Sequence, residues 1–343
     1  MHLYKKWYEN YKRGFQKWRL FGWNLIIWLM NSFFSLKNKL ALITGSGRGI
    51  GKSLSLALAQ SGSDIILTSR SEEELRKVQS QIREIGRKCD YFCLDVSKIK
   101  DIKNFYSKLN ELKLYPDILI NNAGTEEVRS SEKVDEKLWD KILDTNLKGA
   151  FFSSQCFASQ LKKRNKSGSI INLGSLSSSI GIPTAVAYTS SKSGILGMTK
   201  ALSSEWASDN IRVNAIAPGY FRTGLTEVFY KDDKWQKNML AKIPMKRFGN
   251  MEDLHGVVIL LASDASSYIT GQIIYIDGGF ISSIWWISKG LRMKNINIYK
   301  YLALKSDDIQ KLCKRAESDL SEYNKIVDSI IENVRKNKDK ALE

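Results

Sequence analysis

Histidine and cysteine are scarce in this sequence, and their scarcity argues against several kinds of chemistry. The 343 residues include two histidines, His2 and His255, and four cysteines, with no CxxC pair. Zinc sites need closely spaced Cys and His, and a Ser-His-Asp triad needs a histidine beside a serine and a carboxylate. We therefore predict no metal site and no triad hydrolase. The cysteines form no disulfide framework, which indicates a reducing compartment such as the cytoplasm; they are Cys89, Cys93, Cys156 and Cys313.

A basic run with interleaved aromatic residues is also missing. The chain has 53 Lys and Arg against 36 Asp and Glu, a net charge of +17, but the excess is spread over the sequence. Nucleic-acid-binding proteins concentrate such charge on one face or in one stripe. We therefore predict no nucleic-acid partner and interpret the positive charge as a surface that attracts small anionic ligands.

No apolar run reaches the roughly 20 residues that a comfortable membrane span requires. The N-terminal candidate, residues 21–30, is much shorter and follows six basic residues. If the chain contacts a membrane, we expect the contact to be an interfacial anchor within residues 20–34. A membrane-anchored protein is therefore the alternative to a protein without membrane contact. The favoured interpretation is that Met30 is the natural start, because residues 31–39 lead directly into the first predicted strand.

The composition divides the chain into a basic, aromatic extension (1–34), a central domain (35–284) and a tail with helical periodicity (285–343). In the central domain, short apolar runs alternate with helical patterns. The predicted strands are 40–44, 64–69, 88–95, 117–122, 169–174, 211–216 and 272–276. Seven strands separated by crossover helices predict an α/β fold of Rossmann type, a doubly wound parallel sheet with helices on both faces.

A glycine-rich turn joins the first predicted strand to the first predicted helix, in the segment Thr-Gly-Ser-Gly-Arg-Gly-Ile-Gly at 44–51. Here the backbone must turn sharply and approach a pyrophosphate closely, so we expect side chains to be excluded at Gly45, Gly49 and Gly51. The helix N-terminus that follows offers free N–H groups to an anion. The turn therefore predicts a dinucleotide site.

Charge at the end of the second strand predicts which dinucleotide binds. NAD-binding chains usually place a carboxylate there, whereas this sequence has Ser69 followed by Arg70. With Arg48 in the glycine turn, two guanidinium groups could hold a 2′-phosphate at an edge without an acid. We predict NADP(H), with NAD(H) as the alternative. Asp95, at the end of the third strand, is expected to accept a hydrogen bond from the adenine amino group.

Catalytic chemistry is predicted from the pair Tyr188 and Lys192. Residues four apart lie on one helical face, and an ammonium beside a phenol favours the phenolate, which brings proton transfer closer to neutral pH. Four Tyr-x-x-x-Lys pairs occur in this chain, but only Tyr188 follows a strand that ends in a serine, Ser175. That hydroxyl is expected to hold the substrate oxygen. Asn146, on the preceding helix, fits a water-mediated link to Lys192.

These motifs, in this order and spacing, resemble the short-chain dehydrogenase/reductase family over about residues 35–282. The resemblance implies that Tyr188 is the acid/base, that Lys192 lowers its pKa and holds the nicotinamide ribose, and that Asn146 carries a proton relay. It also implies that Thr223 meets the nicotinamide. The predicted cofactor contacts are Gly45, Arg48, Gly49, Ile50, Gly51, Ser69, Arg70, Asp95, Val96, Asn122, Ala123, Gly124, Tyr188, Lys192, Pro218, Gly219 and Thr223.

Within that family, residues 34–39, 217–221 and 247–279 are similar to gluconate 5-dehydrogenases. This implies an oxidoreductase that interconverts a secondary alcohol and a ketone on a sugar acid or polyol. A 3-oxoacyl-carrier-protein reductase is one alternative, and a catalytically inactive nucleotide sensor is another. Family members are commonly tetramers, so we expect a homo-oligomer. The tail from Met293 faintly resembles the N-terminal helices of histidinol dehydrogenase.

Overall fold

A computed structural model describes residues 33–224 and 229–283 of the chain. The interpretations of residues 1–32 and 284–343, including the anchor and the helical tail, lie outside these described residues. The strands are β1 (Leu40–Thr44), β2 (Asp64–Ser69), β3 (Cys89–Cys93), β4 (Ile118–Asn121), β5 (Gly168–Leu173), β6 (Ile211–Pro218) and β7 (Ile273–Ile276). The helices are α1 (Gly49–Gln60), α2 (Glu72–Glu84), α3 (Ile99–Glu111), α4 (Glu136–Leu143), α5 (Gly149–Lys163), α6 (Val186–Trp206), α7 (Asp233–Lys242) and α8 (His255–Ala262).

The seven strands form one sheet in the order β3-β2-β1-β4-β5-β6-β7, and every neighbouring pair is parallel. The order reverses between β1 and β4, and ligands of such sheets bind beyond the strand carboxyl ends at this point. The predicted doubly wound α/β fold is therefore confirmed. All seven predicted strands are present, with ends displaced by up to two residues.

The sheet is buried on both faces because successive strand residues point to opposite sides. In β1, Ala41 and Ile43 pack with Leu54 of α1, whereas Leu42 packs on the other face with helices α3 and α5. Burial on both faces explains why the strands appear in the sequence as continuous apolar runs rather than as alternating patterns.

Local signals set the helix ends. Ser71, followed by three glutamates, caps the start of α2, since its hydroxyl accepts a hydrogen bond from the Glu74 amide at 3.4 Å. Asp135 caps α4 in the same way at 2.7 Å. Between α4 and α5 the chain forms a π-helical turn, Asp144–Lys148, which the sequence analysis treats as ordinary helix. No helix in the described ranges is both long and apolar enough to cross a membrane.

Candidate active site

A cavity of about 550 Å³ lies at the carboxyl ends of the central strands. It contains the glycine turn at one end and Tyr188 at the other. Apart from Asn146, the predicted site residues all line it, namely Gly45, Arg48, Gly49, Ile50, Gly51, Ser69, Arg70, Asp95, Val96, Asn122, Ala123, Gly124, Ser175, Tyr188, Lys192, Pro218, Gly219 and Thr223. Residues that are far apart in the sequence thus converge on one cleft.

The glycine turn has the conformation that its sequence predicts. Gly45 and Gly49 have φ angles of +64° and +55°, in the left-handed region that glycine adopts without strain. A Cβ at Gly45 would lie 2.8 Å from the Ala123 Cα, and one at Gly51 would collide with the Gly45 carbonyl oxygen. Asn122 holds the turn, because its Nδ2 donates to the carbonyl oxygens of Thr44 and Gly45 at 2.9 and 3.0 Å. Asn122 therefore supports the backbone of the turn, besides lining the cleft.

The amide groups at the start of α1 are available to an anion. Its N-cap residue, Arg48, makes no side-chain cap, and the first turn of the helix carries no acidic residue. A phosphate placed there would meet N–H groups and the positive end of the helix dipole. Together with the turn, this cradle fits the pyrophosphate of a dinucleotide.

The edge beside β2 contains an acid that the sequence analysis missed. Arg48 and Arg70 both line it, as predicted, but so does Glu74, whose Oε1 lies 3.5 Å from Arg48 Nη1. Glu74 stands in the first turn of α2, and the parallel pairing of β1 with β2 brings that turn against the glycine turn. The expectation of an edge without an acid is wrong. With two arginines and one carboxylate, the edge remains net positive and fits a 2′-phosphate.

Asp95 also lines the cleft, and its carboxylate already has local partners. Its Oδ1 accepts hydrogen bonds from the Ser97 amide at 3.1 Å and the Ser97 hydroxyl at 2.7 Å. These bonds fix the carboxylate at the end of β3 and leave its other oxygen 3.9 Å from Lys98 Nζ. The predicted bond from Asp95 to an adenine amino group stays a prediction.

Tyr188 and Lys192 both project from α6 into the cleft. The Lys192 ammonium lies 5.7 Å from the centre of the Tyr188 ring and donates a hydrogen bond to the Leu173 carbonyl oxygen at 2.7 Å. Ser175 follows β5, and its segment is tied to the same helix because the Ser178 hydroxyl donates to the Lys192 carbonyl oxygen at 2.8 Å. One short network thus fixes the three groups expected to handle the reacting oxygen.

Burial dominates the titration of this pair. It raises the pKa of Tyr188, which nearby Glu126 raises further and the hydrogen bond with Ser175 lowers. Burial also lowers the pKa of Lys192 to about 8, against an opposing effect of Glu126. In this structure the phenol is therefore protonated at neutral pH, and the expected lowering of its pKa by Lys192 is not seen. The ammonium is directed at the Leu173 carbonyl oxygen, and the loss of hydration is the main cause of the raised pKa of Tyr188.

Asn146 lies behind the cavity wall. Its Oδ1 accepts from the Thr125 amide at 2.8 Å, while its Nδ2 donates to the Thr125 carbonyl oxygen at 2.9 Å and to the Ser191 hydroxyl at 3.0 Å. Asn146 is thus a buried brace between the segment after β4 and helix α6. Its role in a proton relay stays a prediction.

Two parts of the cavity are not predicted residue by residue, although the segment 224–245, which contains Tyr230 and Trp235, is expected from the sequence to shape substrate choice. One is Glu126, two residues after the segment Asn-Asn-Ala-Gly, and the other is an aromatic wall formed by Tyr220, Tyr230 and Trp235. Neither belongs to a periodic pattern. The position of Glu126 soon after a strand end is the one signal that could have identified it, since such positions face the crevice.

Comparison with known proteins agrees with this geometry. Residues 45–281 match the family model described as enoyl-(acyl carrier protein) reductase. The chain is 41% identical over 253 residues to 2-dehydro-3-deoxy-D-gluconate 5-dehydrogenase of Bacillus subtilis, covering 74% of this chain and 98% of that protein. It is 39% identical to 3-oxoacyl-[acyl-carrier-protein] reductase of Thermotoga maritima, covering 72% and 99%.

Solved structures agree as well. Gluconate 5-dehydrogenase of Burkholderia cenocepacia, in complex with NADP and tartrate, superposes with a TM-score of 0.72 at 32% identity, covering 74% of this chain and all of that one. Similarity across almost the complete length of these enzymes thus accompanies the sheet order, the glycine turn and the group formed by Ser175 after β5 with Tyr188 and Lys192 on α6. The chain belongs to the short-chain dehydrogenase/reductase family of oxidoreductases that act on CH–OH groups.

Proposed function

We propose that the chain is an NADP-dependent oxidoreductase that interconverts a secondary alcohol and a ketone on a small polyhydroxylated substrate, a polyol or sugar acid. The observation that carries this proposal is the convergence of Ser175, Tyr188 and Lys192 in the same cavity as the glycine turn. The named relatives add support, since two are dehydrogenases of gluconate or a gluconate derivative and one of these was solved with NADP.

The residues present fit this cofactor. The glycine turn leaves room for a pyrophosphate, and the edge formed by Arg48 and Arg70 fits a 2′-phosphate. When bound, the nicotinamide supplies or accepts a hydride. Lys192, with a pKa of about 8, is largely protonated at neutral pH and can donate hydrogen bonds to a ribose.

Proton transfer is assigned to Tyr188. Because burial keeps the phenol protonated, it can donate a proton to the oxygen of a carbonyl substrate, and in the reverse direction its phenolate accepts one. The Ser175 hydroxyl interacts with this phenol and would hold the same substrate oxygen. The protonated phenol is the form that reduction of a carbonyl requires, and the phenolate is the form that oxidation requires.

Replacing Tyr188 by Phe tests the proposal. The variant keeps the ring and loses the proton donor, so turnover should fall by about 10²–10⁴-fold. NADPH binding, measured by fluorescence titration, should be nearly unchanged. The matched control is Tyr268→Phe, because Tyr268 is fully exposed and outside the cavity. A Tyr188→Phe enzyme that retains the wild-type rate would remove Tyr188 from the mechanism.

A substrate panel tests the reaction class. Polyols, sugar acids and 3-oxoacyl thioesters are offered with NADP or NADPH, and cofactor absorbance is followed. The similarity to the Thermotoga maritima reductase favours the thioesters as the second candidate. Tight NADPH binding without turnover of any compound would instead support a nucleotide sensor.

We also propose a cytoplasmic homotetramer. The described cysteines, Cys89, Cys93 and Cys156, are free thiols, as is usual in a reducing compartment. The tetramer rests on the family resemblance, and light scattering of the full-length chain would measure it directly.

A further inference from the structure

Glu126 is a charged residue of the cavity that the proposed mechanism does not use. Its side chain is half-buried and lines the same cavity as Tyr188. Within the described residues its carboxylate has neither a hydrogen bond nor an ion pair. By contrast, Lys141, which lines the same cavity, is paired with Glu127 at 3.1 Å. In the described part of the chain, no contact therefore neutralises the negative charge of the Glu126 carboxylate.

The charge of Glu126 acts on the groups that would surround a substrate. It raises the pKa of Tyr188, of Tyr220 and of Lys192. Burial raises the pKa of Glu126 itself, and Lys192 opposes that effect. The carboxylate therefore acts electrostatically on two phenols and one ammonium that line the same cavity.

Aromatic rings complete this end. Tyr220 packs edge-on against Trp235 at 5.7 Å, Tyr230 packs against the same indole at 5.4 Å, and all three line the cavity. Arg222 is exposed, with its Cζ 6.0 Å from the centre of the Tyr230 ring. A cavity lined by both rings and a carboxylate suits a ligand with apolar C–H faces and hydrogen-bond donors, because an ionised carboxylate accepts hydrogen bonds and donates none.

We propose that Glu126 determines substrate specificity, an inference that rests on the proposed function. The carboxylate selects substrates that present a hydrogen-bond donor, either a hydroxyl or an ammonium group. It rejects substrates that present a carboxylate. A substrate carboxylate in this cavity would meet a like charge away from bulk water, where repulsion is stronger than in solution. The substrate expected for this chain is a neutral polyol or an amino polyol, or the corresponding ketone.

Three compounds with one carbon skeleton test this specificity. Sorbitol, gluconate and glucamine differ at a single carbon, which carries a hydroxyl, a carboxylate or an ammonium group. Their kcat/KM values are measured with the full-length wild type and with Glu126→Gln, which removes the charge and nearly preserves shape. The control is Glu132→Gln, the same change at an exposed residue outside the cavity. Glu126→Arg supplies the opposite charge.

Wild type should prefer sorbitol or glucamine to gluconate. In Glu126→Gln the gluconate-to-sorbitol ratio of kcat/KM should rise about tenfold or more, with a larger rise in Glu126→Arg and none in Glu132→Gln. A fall in glucamine activity in Glu126→Gln would identify the ammonium as the favoured donor, whereas unchanged glucamine and reduced sorbitol activity would identify the hydroxyl.

Two results would overturn the inference separately from the proposed function. Wild-type turnover with a preference for gluconate, or a ratio unaffected by either Glu126 variant, would refute the role of Glu126 and leave the oxidoreductase intact. Absence of turnover with the three compounds and with the whole substrate panel, while NADPH still binds, would refute the proposed function and the inference with it.

Discussion

Replacing Lys192 by Met should abolish turnover and yet stabilise the fold. Lys192 is 5% exposed, and burial lowers its pKa from the usual 10.5 to about 8. That difference corresponds to about 3 kcal/mol by which the buried ammonium destabilises the folded state at pH 7. Met fills a similar volume without a charge. Against this gain stands the lost hydrogen bond to the Leu173 carbonyl oxygen, about 1–2 kcal/mol. We expect a net stabilisation of about 1–2 kcal/mol.

The effect should depend on pH in a definite direction. Below pH 8 the amine is protonated in both the folded and the unfolded chain, and the destabilisation is complete. Between pH 8 and 10.5 the folded protein releases its proton first, so wild-type stability rises with pH relative to Lys192→Met. Above 10.5 both states are neutral and this contribution vanishes. The advantage of the variant should therefore shrink through this window.

Urea denaturation of the full-length proteins, followed by tryptophan fluorescence at several pH values, measures this difference. Lys200→Met is the matched control, since Lys200 lies exposed on the same helix, and its stability should stay within about 0.5 kcal/mol of wild type. If Lys192→Met is less stable than wild type by 1 kcal/mol or more, or if its advantage does not change with pH, the reasoning is refuted.

Three further variants address the cofactor site and the brace behind it. Arg70→Asp should lower the ratio of NADP to NAD affinity by about tenfold or more, because a charged hydrogen bond to the 2′-phosphate is replaced by repulsion; an unchanged ratio would contradict the phosphate role. Gly51→Ala should weaken the binding of both dinucleotides, since its Cβ would collide with the Gly45 carbonyl, and full affinity in a titration would show that the turn can move. Asn146→Ala should lower the free energy of unfolding by about 2–3 kcal/mol, because two hydrogen bonds to the Thr125 backbone and one to the Ser191 hydroxyl are lost; denaturation with an unchanged midpoint would argue against the brace.

The sequence predicts the fold and much of the cavity because both depend on local patterns. Apolar runs determine the strands, and the positive φ angles at Gly45 and Gly49 follow from a turn that other residues would strain. Tyr188 and Lys192 are four residues apart on one helix, so their common face is also a local property.

The features of the cavity that the sequence does not predict depend on which helices, strands and loops become neighbours in the folded chain. Glu74 belongs to a helix N-terminus, and its approach to Arg48 arises from the pairing of β1 with β2. Glu126 stands in an irregular segment, where spacing carries no information about direction. The direction of the pKa shift at Tyr188 follows from desolvation in the assembled cleft, which a count of nearby charges along the sequence does not reveal.

The π-helical turn at Asp144–Lys148 makes helix length critical at this point. The turn already holds one residue more than an α-helical turn, and each further residue would advance the chain by about 100° around the axis, so an insertion here would rotate the whole of α5. That rotation would carry Gly149 out of its contact with Val96, where a Cβ would lie 2.5 Å from the Val96 carbonyl oxygen, and would bring in a bulkier neighbour. This helix therefore accepts an exchanged residue more readily than an added one.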